Sequence, residues 1–216
     1  NKWVKELPIR NGDLIIIGAN NYNFGILNGE FGVVTYADNN TIEREVTFNY
    51  ASSEKKTVNL TWRYVKLLIP DETGSDNTVS GYILENYLNS NATMLSQEEK
   101  QALFVDFKYR HPKLKPRTEE FKEALQNDPY FNAIMLKFGY AVTCHKAQGG
   151  EWKNAFVFWD TDNSSEFDFY TTRQSSSGKT NQNFYRWSYT AITRAKNQLF
   201  CINPPYFNSF SKATFV

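Results

Sequence analysis

Apolar and polar positions change rhythm along the 216-residue chain. The first part reads as strands. Leu14–Ile17 is a short apolar run behind Gly12-Asp13, the pattern of a buried strand. Turn formers crowd residues 20–28, and NGEFGVVTY opens a second strand. Asp38-Asn39-Asn40 has the composition of a hairpin turn. TIEREVTF follows it with period-two alternation, Ile42, Val46 and Phe48 against Glu43, Arg44, Glu45 and Thr47, with one slip at Arg44–Glu45. VNLTWRYVKLLI, residues 58–69, is β-rich in the same way. Three or four short strands with tight turns predict a small barrel or sandwich over residues 29–69.

The period then shifts. Pro70–Thr78 is polar and reads as a loop, and residues 79–126 read as helical. Ser96 followed by Glu99 is a capping box that opens a helix through Tyr109; His111-Pro112 ends it, and Asp128-Pro129 marks the next boundary. Beyond that point KFGYAVT is a nearly continuous apolar run. It predicts a strand of a parallel sheet covered on both faces, with Thr143 at its carboxyl end. AFVFWD predicts another strand. Thr161–Asn183 is rich in Ser and Asn and reads as a mobile loop. A helix over Phe184–Ala195 and a strand QLFCINP close the chain, and no internal repeat is present.

Composition narrows the class. Hydrophobic residues at 41% and charged residues at 22% are ordinary for a soluble globular protein, and most of the 16% aromatic residues are expected in the core. A net charge of +1 gives no field that draws nucleic acid or a membrane to the whole surface. The two cysteines, Cys144 and Cys201, lie far apart and make no disulfide framework, which fits a reducing, cytoplasmic compartment. The N-terminal residues lack a signal-peptide apolar core, and no early apolar run is long enough to span a bilayer.

One stretch concentrates chemistry: TCHKAQGGEW, residues 143–152. A zinc site needs clustered pairs, but Cys144 and His145 are adjacent, and Cys201 and His111 have no close companions. A cysteine nucleophile needs a facing histidine, and neighbours in sequence project apart. A phosphate-handling loop fits better. Thr143 is able to cap a short helix, Gly149-Gly150 lets backbone N–H groups approach a ligand, and Glu151 is placed to accept from a ribose hydroxyl. The rival is a plain strand–turn–strand with a satisfied histidine. Two other phosphate signals fail. GKT at residues 178–180 has Arg173 where a P-loop needs its first glycine, and it lies in a polar loop. Ala155–Asp160 resembles a magnesium-binding strand end, but a buried strand leaving into solvated Asp160 and Asp162 explains it.

A second stretch, RWSYTAITRAK at residues 186–196, is helical by spacing. Phe184, Trp187, Ala191, Ile192 and Ala195 form an apolar stripe, with Arg186, Thr190 and Arg194 on the opposite side. Arg194 near the helix end is favoured by the macrodipole, and it is equally placed to face a transferring phosphate.

Together these segments resemble a known family. VTCHKAQGGEW looks like motif V, and YTAITRAK like motif VI, of superfamily 1 helicases, closest to the RecD-type branch (exonuclease V alpha subunit). GDLIIIGANNYNFGILNGEFGVV resembles the segment of that branch that leaves the second motor domain and enters an inserted barrel. The likeness covers about a third of the chain, and the helical block 79–126 matches no pattern of the family. It implies an α/β fold: a RecA-like, P-loop NTPase-type second motor domain, its parallel sheet flanked by helices. Residues 1–28 and 128–216 would form that domain. Residues 29–127 would be an insertion, an SH3-like β-barrel over 29–69 followed by a helical segment over 79–127.

The resemblance also implies roles. Arg194 would be an arginine finger on ATP, and Glu151 would hold the ribose. Gln148, Gly149 and Gly150 would form a turn that senses nucleotide state, and Thr190 would orient motif VI. Thr143 and His145 would touch the backbone of single-stranded DNA, with Asn20 and Asn21 near the DNA channel. ATP with Mg2+ would be held mainly by a first motor domain, which carries the P-loop and Walker B groups and is expected ahead of residue 1. Without it this chain is expected to hydrolyse no ATP and to bind no metal. Further partners implied are nuclease or recombination subunits in DNA repair. The rival readings are a non-catalytic nucleic-acid-binding module that keeps the fold, and a protein-interaction domain built on the barrel.

Overall fold

The structure is a computed structural model that describes residues 8–50, 54–70, 75–159 and 182–203; for Tyr50, Glu54 and residues 182–185 it describes the backbone only. The expected polar loop after Asp160 and its GKT sequence lie outside the described residues, apart from Gln182 and Asn183. The chain divides into two compact units, Asn1–Ala141 and Val142–Val216. No helix among the described residues is long and apolar enough to cross a membrane.

The first unit is built on strands β1 (Leu14–Ile17), β2 (Phe31–Tyr50), β3 (Glu54–Pro70), β4 (Asp76–Leu84) and β5 (Leu136–Phe138). They form one sheet in the order β4-β3-β2-β1-β5, and every neighbouring pair is antiparallel. Helices α1 (Glu85–Asn89), α2 (Gln97–Arg110) and α3 (Glu119–Asn127) lie between β4 and β5 in sequence. This overturns the expected fold class. The main sheet is antiparallel and not a RecA-like parallel sheet flanked by helices, and its long central hairpin is not a small SH3-like barrel. The segment KFGYAVT differs most from its expected role. Only its first residues extend β5, which runs antiparallel to β1. A short apolar run does not tell a doubly covered parallel strand from a brief edge strand.

Asp38-Asn39-Asn40 was the other misleading signal, because β2 runs straight through it. The pairing of β2 with β3 slips between Val34 and Tyr36 and again between Ala37 and Thr41, so the Asn-rich stretch is a bulge and not a turn. Arg63 makes the bulge tenable. Its buried guanidinium donates to the carbonyls of Asp38 (2.6 Å) and Asn39 (3.2 Å) and pairs with Glu85. These carbonyls have left the ladder and would otherwise be costly to bury.

Arg63 also marks where the ribbon changes faces. On β3, Leu60 and Trp62 face one core, whereas Val65, Leu67 and Ile69 face another. Successive side chains on a strand alternate sides, so the two ends of one strand bury opposite faces. Near the sheet centre, Ile15, Ile17, Val34, Val65 and Leu67 pack with Ile83 and Ile134. At the distal end, Val46, Leu60 and the fully buried Trp62 pack with Tyr87, Ala102 and Leu103 of the helices.

The stretch VSGYIL, expected to be helical, is part of β4. Val79, Gly81 and Ile83 are buried at alternate positions along it, with Phe24 packed against Gly81. The capping box formed as expected: Ser96 Oγ accepts from the Glu99 N–H at 3.1 Å, and Glu99 Oε2 accepts from the Ser96 N–H at 2.8 Å.

The second unit holds β6 (Trp152–Phe158), α4 (Gln182–Ile192) and β7 (Ala195–Ile202). Strands β6 and β7 pair in parallel, the one parallel ladder among the described strands.

Candidate functional site

The stretch 143–150 is a series of turns, not the end of a strand, since β5 stops at Phe138. The turns are closed by Ala147 N–H to Thr143 O (3.1 Å), Gln148 N–H to His145 O (3.2 Å) and Gly150 N–H to Ala147 O (3.1 Å). Ala147 is buried beneath them, while Thr143, His145, Gln148 and Gly149 are exposed. Gly149 has φ of +89°, a conformation that side-chain-bearing residues rarely adopt. A Cβ on Gly150 would collide with the Trp152 indole. The backbone angle favours glycine at 149, while at 150 a side chain would have to displace the partly exposed Trp152 ring.

Strand β6 starts directly after this loop, and the loop meets the end of α4 there. Trp152 N–H donates to Arg194 O at 2.8 Å, which opens the β6–β7 ladder. Helix α4 buries Ser188 and Ala191 and exposes Arg186 and Tyr189. Trp187 meets Trp159 edge to face at 5.0 Å. Arg194 falls beyond the helix, in the turn into β7, so it does not continue the polar stripe of α4.

The Arg194 side chain folds back over that turn. Nε donates to Thr190 O (2.9 Å), Nη1 to Gly150 O (2.9 Å) and Nη2 to Thr193 Oγ1 (3.0 Å). One guanidinium thus ties the glycine loop to the end of α4. Thr190 also donates its hydroxyl to Arg186 O at 2.9 Å. Glu151, next to Gly150, pairs with Lys196 at 3.0 Å; both side chains are more than half exposed, so the pair is easily broken. Cys144 donates to Trp187 O at 3.5 Å. Burial pushes its thiol above the ordinary value, against an opposing pull from Arg194. Such a thiol is a poor nucleophile at neutral pH.

The structure therefore brings together Gly150, Glu151, Thr190 and Arg194, with Gln148 and Gly149 in the same loop and Thr143 and His145 at its exposed start. Asn20 and Asn21 belong to the first unit and serve its 20–28 loop. Asn20 Oδ1 accepts from Asn28 N–H (2.8 Å), and Asn21 Nδ2 donates to Asn132 O (2.9 Å). Thr193 and Lys196 escaped the sequence reading. The signal for both was position alone, one residue before Arg194 and two after it. Among the described residues, no three His, Cys, Asp or Glu side chains stand close enough to hold a metal ion. The described residues thus offer magnesium no carboxylate cluster.

A family model described as the UvrD-like helicase C-terminal domain matches residues 138–175. The matched stretch contains the glycine loop and β6 and stops before α4. It supports a superfamily 1 helicase C-terminal domain in this part of the chain. No curated protein matches the chain.

Proposed function

We propose that this chain is the C-terminal part of an ATP-dependent DNA helicase of the RecD type, and that its second unit supplies one wall of the ATP site. Arg194 acts as the arginine finger on the γ-phosphate. Glu151 leaves Lys196 to accept from the ribose. The Gln148–Gly150 turn responds to nucleotide state, with Thr190 fixing the end of α4 beside it. Thr143 and His145, exposed on the same loop, contact the phosphates of single-stranded DNA, so the loop couples the two ligands. The P-loop and the magnesium-binding groups come from a first motor domain.

The observation that carries this reading is the hydrogen bond from the Arg194 guanidinium to the Gly150 carbonyl, one residue from Glu151. It holds a fixed cation beside an acid that only a weak surface ion pair occupies. That arrangement suits a nucleoside triphosphate, whose two ends carry opposite demands.

The test is DNA-stimulated ATP hydrolysis by the intact protein. Arg194→Ala is expected to lower turnover by about 10³-fold, the range found for arginine fingers. Unchanged turnover defeats the assignment.

A further inference from the structure

We propose that Thr193 is a positioning residue for Arg194, aiming the guanidinium before any phosphate arrives. This rests on the reading of Arg194 as the finger, and it names a residue that neither the motif likeness nor the family match assigns.

Thr193 follows the last residue of α4, and its N–H donates to Tyr189 O at 3.0 Å, which carries the helical path one step further. Its Oγ1 lies 2.8 Å from the same carbonyl and 3.3 Å from Thr190 O. A threonine hydroxyl has one proton and two lone pairs. The proton is committed to the helix-end carbonyls, so only lone pairs face Arg194 Nη2 at 3.0 Å. The helix end thus orients the hydroxyl, and the hydroxyl orients the arginine.

A guanidinium has five N–H groups. Three have partners: Thr190 O, Gly150 O and Thr193 Oγ1. One N–H on each terminal nitrogen is left without a partner among the described residues. Without the Thr193 contact, Nη2 is anchored by no protein atom, and the guanidinium hangs on two points, able to turn about them. A finger that must meet a γ-phosphate at hydrogen-bond distance loses rate steeply when it is misplaced.

Two substitutions separate chemistry from shape. Thr193→Val keeps the volume but removes the acceptor. Thr193→Ser keeps the acceptor and drops a methyl. In the intact protein, Thr193→Val is expected to lower the kcat of DNA-stimulated ATP hydrolysis by between about tenfold and a hundredfold, with KM for ATP within about twofold. Thr193→Ser is expected to turn over like wild type. Wild-type kcat in Thr193→Val overturns the inference, and so does a Thr193→Ser protein as slow as Thr193→Val.

Arg194→Ala, assayed alongside, tells the two ideas apart. Normal turnover there sinks the finger reading itself; loss there with normal Thr193→Val sinks only the role of Thr193. Should Thr193→Val fail to fold, hydrogen exchange decides the matter. The Arg194 Nε–H in wild type and in Thr193→Ser should exchange with water far more slowly than that of exposed Arg186, and should speed up in Thr193→Ala. Equal rates for Arg194 and Arg186 in wild type, or no change in Thr193→Ala, overturn the proposal.

Discussion

Cys144 and His145 show how neighbours in sequence part company in chemistry. The histidine is exposed on the turn, while the cysteine points inward to the Trp187 carbonyl and burial raises its pKa. Cys201 is exposed on β7. Thiol labelling of the folded protein at neutral pH should therefore modify Cys201 well before Cys144, and denaturant should abolish the difference. Faster labelling at Cys144, followed by mass spectrometry of the peptides, would contradict the placement of that loop. The acid and the arginine of the candidate site were legible as residue types at a spacing. What fixes them was not. Contacts to the carbonyls of Gly150 and Thr190 leave no trace in side-chain identity, and the Glu151–Lys196 pair depends on a turn whose path the sequence does not print.

At the scale of elements, α2 was the most readable part of the chain, because capping is local: Ser96 and Glu99 lie within one turn and bond each other's backbone. The bulge at Asp38–Asn40 was unreadable for the opposite reason, since its carbonyls are satisfied by Arg63, far along the chain.

A second long-range device joins α2 to the segment after α3. Arg110 donates to Asp106 and Asp128, and Arg44 of β2 also donates to Asp106, at 3.0 Å. The guanidinium carbons of Arg44 and Arg110 lie 4.2 Å and 4.9 Å from the ring centre of Tyr130. Burial acts to raise the pKa of Asp128. Hydrogen bonds from Arg110, the Phe131 N–H and His111 outweigh it and hold the carboxyl below its ordinary value.

A depressed folded pKa stabilises the protein above the unfolded value of about 3.9, and that stability is lost as pH falls through the folded pKa. Urea unfolding should accordingly show the first unit weakening as pH drops below about 4. Asp128→Asn should cost about 3 kcal/mol at pH 7, as expected when a buried ion pair loses one partner, and should flatten the acid limb. A variant as stable as wild type at pH 7 would mean that the network contributes nothing.

For the whole molecule, the likeness to helicases and the architecture must be taken separately. Two of the three resembling stretches lie in the second unit, at its glycine loop and at the end of α4, and the family match falls on the first of these. The first unit, an antiparallel sheet with a face-switching hairpin, follows rules of its own. The expected parallel domain joined residues 1–28 to 128–216, but the strands described in its first-unit part, β1 and β5, pair antiparallel.

Arg194 either serves a nucleotide or merely staples a loop to a helix. The direct measurement is a structure of the intact protein with ADP and a γ-phosphate transition-state mimic. The Arg194 terminal nitrogens are expected about 3 Å from the mimic's oxygens, the distance of a charge-assisted hydrogen bond, with Glu151 turned from Lys196 to the ribose. An Arg194 still bound only to Gly150, Thr190 and Thr193, with the nucleotide held elsewhere, would contradict the role of Arg194 as a finger.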